Sequence, residues 1–230
     1  MRGLLPTYQA WREEGLAVTR AVVIRTFGSS PRREGAVMLR AADGRIAGSV
    51  SGGCVEGATA EHLDEAAASG KERFVRFGVS DEQAWDVGLA CGGTIDVLVQ
   101  PSVPQSVLEA AVETRRDRRA GRVVASTLPP GSPGPEAAGS ERGPEAAPVE
   151  PFVVFEDGRT TGTLGDAALE ARVAADAEGL LASGASVLIE VGGQQVFLES
   201  FPPRPRLVAV GAVEVASALV GLARDLDYET

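Results

Sequence analysis

The two cysteines of this sequence each stand next to a pair of glycines. Cys54 follows Gly52-Gly53, and Cys91 precedes Gly92-Gly93. A thiolate is a nucleophile and a ligand for soft metals, and consecutive glycines allow backbone N–H groups to converge on an anion. If the fold brings the two loops together, they would form a site for a metal or for a sulfur-bearing cofactor with an anionic tail.

Two other interpretations of the cysteines stay open at this point. A free cysteine often behaves as a small buried hydrophobic residue, here at a tight turn. Alternatively, Cys54 and Cys91 form a disulfide or act as the reactive pair of a thiol redox protein, although a reducing compartment favours free thiols. A reversible intramolecular disulfide would support the redox interpretation.

The segment Gly28-Ser29-Ser30-Pro31-Arg32 is a third candidate for binding. Ser29 and Ser30 supply hydroxyl groups and Arg32 supplies a guanidinium, directly after an apolar run that predicts a buried strand. This combination suits a phosphate group. The alternative is an ordinary turn with an exposed arginine.

Strands and helices must position these segments. The pattern predicts a strand hairpin at 36–40 and 45–49, followed by a helix that starts at Cys54 and stops at Gly70. The Gly52-Gly53 turn would therefore lie at a helix N-terminus, where the partial positive charge favours an anion or a thiolate.

The segment Asp43–Gly78 recurs as Asp157–Gly192 at a constant offset of 114 residues. Identical residues include Asp43/Asp157, Gly44/Gly158, Arg45/Arg159, Gly48/Gly162, Glu56/Glu170, Ser69/Ser183, Gly70/Gly184 and Gly78/Gly192. The repeat predicts two related hairpin–helix–strand units that pack on one sheet, with chance similarity as the alternative. Only the first unit keeps the thiol, because Ala168 stands at the position of Cys54.

The repeat suggests a division of the chain. Residues 1–128 form a first unit, and residues 152–203 form a second unit that completes the same domain. The segment 129–151 is rich in proline and nearly free of large apolar residues. Such a segment cannot bury enough surface to offset its ordering entropy, so it is predicted to be a disordered linker.

Residues 204–230 contain a predicted strand that runs into a helix at Arg206–Ala216, as in the first turn of a dinucleotide-binding fold. Val213 occupies the position of the second glycine of the G-x-G-x-x-G pattern, and its bulk should hinder a pyrophosphate. Because the sequence stops at Thr230, in what would be the second strand, we expect only the start of a truncated Rossmann-like domain. An NAD(P)-linked, oxidoreductase-like protein stays open as an alternative, which nicotinamide binding would support.

Charge and hydropathy limit the classes of partner. The formal net charge is -10, which disfavours nucleic acid and anionic membranes. No stretch approaches the roughly 18 apolar residues of a membrane helix. These properties predict a cytoplasmic protein. The predicted strands and helices described above assign it to the α/β class.

Several motifs in this order resemble the XdhC/CoxI family. The motifs are Gly28–Arg32, Gly44–Glu56, Arg76–Ser80, Gly88–Thr94 and Leu207–Ala212. They lie throughout the chain outside the linker. Two local departures are Arg33-Glu34, where relatives commonly have a more proline-rich stretch, and Glu214, where relatives often have histidine.

The resemblance implies a factor that binds molybdenum cofactor (molybdopterin) and delivers it to a xanthine or carbon monoxide dehydrogenase. It implies a cysteine desulfurase as a second partner, which supplies sulfur to the cofactor, and a homodimer by analogy with relatives. Such a protein is a carrier more than a catalyst, so no catalytic residue is assigned.

The site residues can be assigned on the same basis. Cys54 and Cys91 would face the molybdenum or its dithiolene, and the Gly52-Gly53 and Gly92-Gly93 amides would hold anionic groups. Ser29, Ser30 and Arg32 would hold the pterin phosphate.

Overall fold

A computed structural model describes residues 1–78, 93–117, 120–133, 141–211, 213–226 and 228–230. The helices are α1 (Leu5–Glu13), α2 (Glu56–Ser69), α3 (Gln105–Arg116), α4 (Ala167–Ser183) and α5 (Glu214–Asp225). The strands are β1 (Val18–Phe27), β2 (Val37–Ala41), β3 (Ile46–Gly48), β4 (Glu72–Phe77), β5 (Thr94–Gln100), β6 (Arg122–Thr127), β7 (Glu141–Ala146), β8 (Phe152–Phe155), β9 (Thr160–Thr161), β10 (Val187–Val191) and β11 (Gln194–Phe201).

The strands form two antiparallel sheets with the same internal order. The first sheet has the order β3-β2-β1-β5-β4-β7, and the second has the order β9-β8-β6-β11-β10. Strands β6, β8, β9, β10 and β11 thus repeat β1, β2, β3, β4 and β5. The predicted duplication is confirmed, but the prediction of one shared sheet is wrong. Each unit instead supplies five strands to a separate sheet.

Equivalent turns of the two units have the same geometry. The Asp43 carboxylate accepts hydrogen bonds from the backbone N–H of Arg45 at 3.1 Å and from its Nε at 2.7 Å. Asp157 accepts the same two bonds from Arg159 at 3.1 and 2.7 Å. The correspondence therefore extends from strand order to individual hydrogen bonds.

Glycine is required at one repeated position. Gly48 and Gly162 have φ angles of 79° and 81°. A Cβ at these positions would lie 2.2 Å from the carbonyl oxygen of Val37 and 2.7 Å from that of Pro151. These contacts are too short for any side chain, which explains why both units keep glycine here.

Three hydrophobic clusters hold the layers together. Helix α2 packs on one face of the first sheet around Leu63, and helix α4 packs on one face of the second sheet around Val173. The inner faces of both sheets share the third cluster with α1 and α3, and Trp11 and Phe197 belong to it. The first unit is therefore anchored on both faces of its sheet.

A buried polar network crosses between the sheets. Arg20 on β1 donates hydrogen bonds to Glu199 on β11 at 2.5 and 2.6 Å, and to Gln100 at 2.5 Å. Gln100 in turn donates to Glu72 at 2.7 Å. Arg20 and Glu199 are 2% and 4% exposed, so each charge depends on the other for compensation.

Three sequence predictions need correction. Residues 141–146, predicted to be linker, form β7 at the edge of the first sheet, where they pair with β4. Strand β6, predicted within the first unit, pairs with β8 and β11 in the second sheet. The predicted strand at Arg206 is reduced to one parallel bridge between Arg206 and Glu229, although the predicted helix that follows is present as α5.

In the part of the chain that the structure describes, no helix is long and apolar enough to cross a membrane.

Candidate functional site

The loop between β3 and α2 is closed by the carboxylate of Glu56. Its Oε1 accepts hydrogen bonds from Ser49 Oγ at 2.6 Å and from the backbone N–H groups of Ser51 and Gly52 at 3.0 and 3.2 Å. Its Oε2 accepts from Ser51 Oγ at 2.5 Å and from the N–H of Gly53 at 2.8 Å. The loop is thus wrapped around an internal anion.

The electrostatics of the loop favour the charged form of this carboxylate. Partial burial alone would raise the pKa of Glu56, but hydrogen bonds from Ser49, Ser51 and the loop amides outweigh it and lower the pKa to about 2. Glu56 is therefore ionised at neutral pH.

The Gly52 and Gly53 amides differ from their predicted role. They were expected to hold an anionic group of a ligand, but here both donate to Glu56. Their φ angles of 86° and 125° lie in the region that favours glycine, and they turn successive N–H groups toward one carboxylate. An external anion can use these two groups only if it displaces Glu56.

Cys54 lies outside this network and is exposed. It comes directly before Val55, the N-cap residue of α2, and no side chain caps this helix among the described residues. The structure therefore contradicts the interpretation of Cys54 as a buried hydrophobic residue. It presents a free thiol at a helix N-terminus, as the sequence predicted.

The second unit has a closed version of the same helix start. Asp166 stands at the position of Gly52, and its carboxylate accepts hydrogen bonds from the N–H groups of Ala168 and Leu169 at 2.8 and 3.1 Å. The first unit lacks this cap and has glycine and the thiol instead. Of these two equivalent helices, α4 therefore has a side-chain cap and α2 has none within the described residues.

The Ser29–Arg32 loop lies against the Cys54 loop. Arg32 Nε donates to the carbonyl oxygen of Ser49 at 3.4 Å, and a Cβ at Gly52 would lie 3.6 Å from Pro31 Cγ. Ser29 and Arg32 are exposed, and Arg32 forms no salt bridge within the described residues. Two of the three predicted segments are therefore adjacent, and the guanidinium is accessible to a ligand.

The third segment reaches the same place through Gly93. A Cβ at Gly93 would lie 2.3 Å from the carbonyl oxygen of Ser29, so the backbone segments at Gly93 and Ser29 are in direct contact. Gly93 precedes β5, whose first residue Thr94 pairs with Phe27 at the end of β1. Cys91 and Gly92 lie outside the described residues, and their position relative to Cys54 stays a prediction.

A buried ion cluster that sequence reasoning missed lies on the strands below these loops. Asp96 accepts hydrogen bonds from Arg76 Nε at 2.6 Å and from Arg25 Nε at 2.7 Å. Both guanidinium groups also lie over the ring of Phe27, at 5.9 and 5.4 Å from its centroid. The cluster ties β1, β4 and β5 together at the sheet end that carries the Ser29–Arg32 loop.

Glu56 was also missed as a site residue, although a signal for it was present. It is one of the few residues identical in both repeats, and Glu170 has the same role in the second unit. Glu170 accepts from Thr163 Oγ1 at 2.6 Å and from the N–H of Leu164 at 2.7 Å. No group of three or more potential metal-ligating side chains occurs among the described residues.

Fold and site together define a class of protein. It has two repeated antiparallel α/β units, of which only the first has a free thiol on its strand-to-helix loop, and that loop contacts the Ser29–Arg32 loop. The sequence profile described as "XdhC and CoxI family" matches residues 11–78 and 142–192, which is more than half of the chain. The chain belongs to the XdhC and CoxI family.

Two known proteins are similar to this chain. The molybdenum cofactor insertion chaperone PaoD of Escherichia coli is 42% identical over 83 residues, which is 36% of this chain and 25% of PaoD. A xanthine dehydrogenase crystal structure from Bacillus halodurans superposes with a TM-score of 0.66 at 21% identity, over 97% of this chain and 60% of that chain. The latter likeness shows the fold, and in both cases the chain spans only part of its relative.

Proposed function

We propose that this chain binds molybdenum cofactor and supports its insertion into a molybdenum hydroxylase. Family membership and the name of PaoD support this proposal. The observation that carries it is the exposed Cys54 thiol on a loop in contact with the Ser29–Arg32 loop. A thiol, two hydroxyl groups and a guanidinium match the soft and the anionic ends of such a cofactor, although the Ser30 hydroxyl donates to the Arg32 carbonyl oxygen at 2.8 Å and must turn from it to bind a phosphate.

In the proposed arrangement each element has a separate task. Cys54, together with Cys91, faces the molybdenum or its dithiolene. Ser29, Ser30 and Arg32 bind the phosphate at the other end of the pterin. Since Glu56 already takes the Gly52 and Gly53 amides, the phosphate is assigned to the Ser29–Arg32 loop and not to the glycine turn.

We further propose that the client is an enzyme of the xanthine or carbon monoxide dehydrogenase type. A cysteine desulfurase would be the source of sulfur for the exchange of an oxo ligand of the molybdenum, and this exchange would take place while the chain holds the cofactor. The chain acts as a carrier in this scheme, so its own residues orient the cofactor and release it. The proposed place of action is the cytoplasm, with the chain as a homodimer.

A delivery experiment tests this function. The full chain, loaded with molybdenum cofactor, is mixed with the cofactor-free form of a xanthine dehydrogenase, and the hydroxylase activity is followed with and without a cysteine desulfurase. We expect activity to rise with the amount of loaded chain, and to rise further with the desulfurase. Equal activity with free cofactor alone would contradict the proposal.

A further inference from the structure

We propose that Glu56 is a positioning residue that holds the Cys54 loop so that the thiol stays at the surface beside the Ser29–Arg32 loop. The inference deepens the proposed function, on which its biological meaning rests. The geometric part of it can be tested without any cofactor.

Many polar groups of the loop depend on this one carboxylate. Backbone N–H groups of Val50, Ser51, Gly52 and Gly53 all donate to it, and so do the Ser49 and Ser51 hydroxyl groups. Ser51 Oγ in turn accepts from the N–H of Val55 at 3.0 Å. Every residue from 49 to 53 therefore takes its orientation from Glu56, and Cys54 is the next residue along the chain.

The same hydrogen bonds decide which side of the loop is left for a ligand. Because the Gly52 and Gly53 amides point inward to Glu56, the loop cannot turn its amides outward while the carboxylate is in place. The same arrangement leaves Cys54 exposed and sets Gly52 against Pro31. The carboxylate thus acts on the thiol through the backbone and not by contact.

The second unit repeats the carboxylate without the thiol. Glu170 accepts from Thr163 and Leu164 as Glu56 accepts from Ser49 and Val50. The glutamate therefore shapes the strand-to-helix turn in both units. Only in the first unit does this turn carry a thiol. Glu170 and Thr163 provide matched controls within the same chain.

The experiment places a nitroxide spin label on Cys54 of the full chain in a Cys91→Ser background, so that one thiol is labelled. Electron paramagnetic resonance spectra are compared for Glu56→Gln and Glu170→Gln. Ser49→Ala and Thr163→Ala form a second, milder pair in case Glu56→Gln does not fold. The unfolding midpoint in urea is measured for every variant.

We expect the slow-motion component of the spectrum to be lost in Glu56→Gln, because the backbone donors of the loop would face a side-chain amide group in place of a carboxylate oxygen. The component should be reduced in Ser49→Ala, because the N–H of Gly52 would lose the Ser49 hydroxyl as an acceptor. The Glu170→Gln and Thr163→Ala spectra should keep that component even where their unfolding midpoints fall as far. The inference is overturned if both glutamine variants give the same spectrum, or if the spectra follow global stability. Because no cofactor is involved, this result is independent of whether the chain binds molybdenum.

Discussion

The N–H of Gly53 donates to the Glu56 carboxylate at 2.8 Å, so the residue that precedes the exposed thiol is held by a partly buried charge of its own loop. Because this carboxylate occupies the amides of the glycine turn, we propose that the phosphate of the cofactor binds at the neighbouring Ser29–Arg32 loop. The following predictions test this arrangement and the scaffold below it.

Gly93→Ala should disrupt the contact between the two site loops. Its Cβ would lie 2.3 Å from the Ser29 carbonyl oxygen, so the backbone must shift, at a cost of about 1–3 kcal/mol. Urea unfolding measures this cost. Gly57→Ala is the control, because a Cβ there meets nothing within 4 Å and alanine favours the helix. Equal stability of Gly93→Ala and the wild type would contradict the close approach.

Arg32→Gln should weaken cofactor binding without a loss of stability. The Arg32 side chain is exposed and its hydrogen bond to the Ser49 carbonyl oxygen is long, so the change in unfolding free energy should stay within roughly 0.5 kcal/mol. Pterin content after gel filtration should fall, whereas Arg159→Gln at the equivalent of Arg45 should leave it unchanged. Full pterin retention in Arg32→Gln would show that the phosphate lies elsewhere.

The stability of the protein should fall on acidification partly through Glu56. Its pKa is lowered from 4.5 to about 2 in the folded state, so its contribution is complete above pH 4.5 and is lost as the pH falls toward 2. Wild-type protein should therefore lose more stability than Glu56→Gln between about pH 5 and pH 3, as measured by urea midpoints. Parallel losses in the two proteins would mean that the folded loop does not lower the pKa of Glu56.

Glu199→Gln should destabilise the contact between the two sheets. The variant leaves Arg20 buried without its counter-charge, and removal of one partner of a buried pair costs about 3–5 kcal/mol. Urea unfolding should show this loss, while Asp64→Asn, which removes the exposed pair with Arg40, should cost about 1 kcal/mol or less. Similar costs for both variants would contradict the role of Arg20 and Glu199 in joining the sheets.

Local pattern predicted much of this fold. The turns at Asp43 and Asp157 and the helix stops at Gly70 and Gly184 depend on nearest-neighbour geometry, and they occur as predicted, with φ angles of 67° and 68° at the two stops. The adjacency of the Gly28–Arg32 and Gly52-Gly53 segments follows from the same elements. Both lie at the same end of the first sheet.

Long-range pairing was not predictable in the same way. Strand β7 contains Pro144, which argues against a strand, yet β7 occupies a sheet edge and pairs with β4 across an irregularity between Arg73 and Val75. Edge position and irregular register are the conditions under which a strand tolerates proline. Nothing within the segment itself indicates that β4 offers a free edge.

The role of Glu56 was hidden for a different reason. A glutamate in the first turn of a helix ordinarily faces solvent and interacts with the helix dipole. Here the two preceding glycines turn the backbone so that residues 49–53 surround the Glu56 carboxylate. This backbone conformation places the carboxylate at the centre of a hydrogen-bond network.

The most direct test of the account is the amount of molybdenum and pterin bound to the full chain purified from cells that make molybdenum cofactor. We predict that both are retained by the wild type and by Ala168→Ser, at the equivalent position of the second unit, and that both are lost when Cys54 and Cys91 are changed to alanine. Unchanged molybdenum and pterin content in the double cysteine variant, or their absence from the wild type, would contradict the claim that the first unit is a cofactor-binding site.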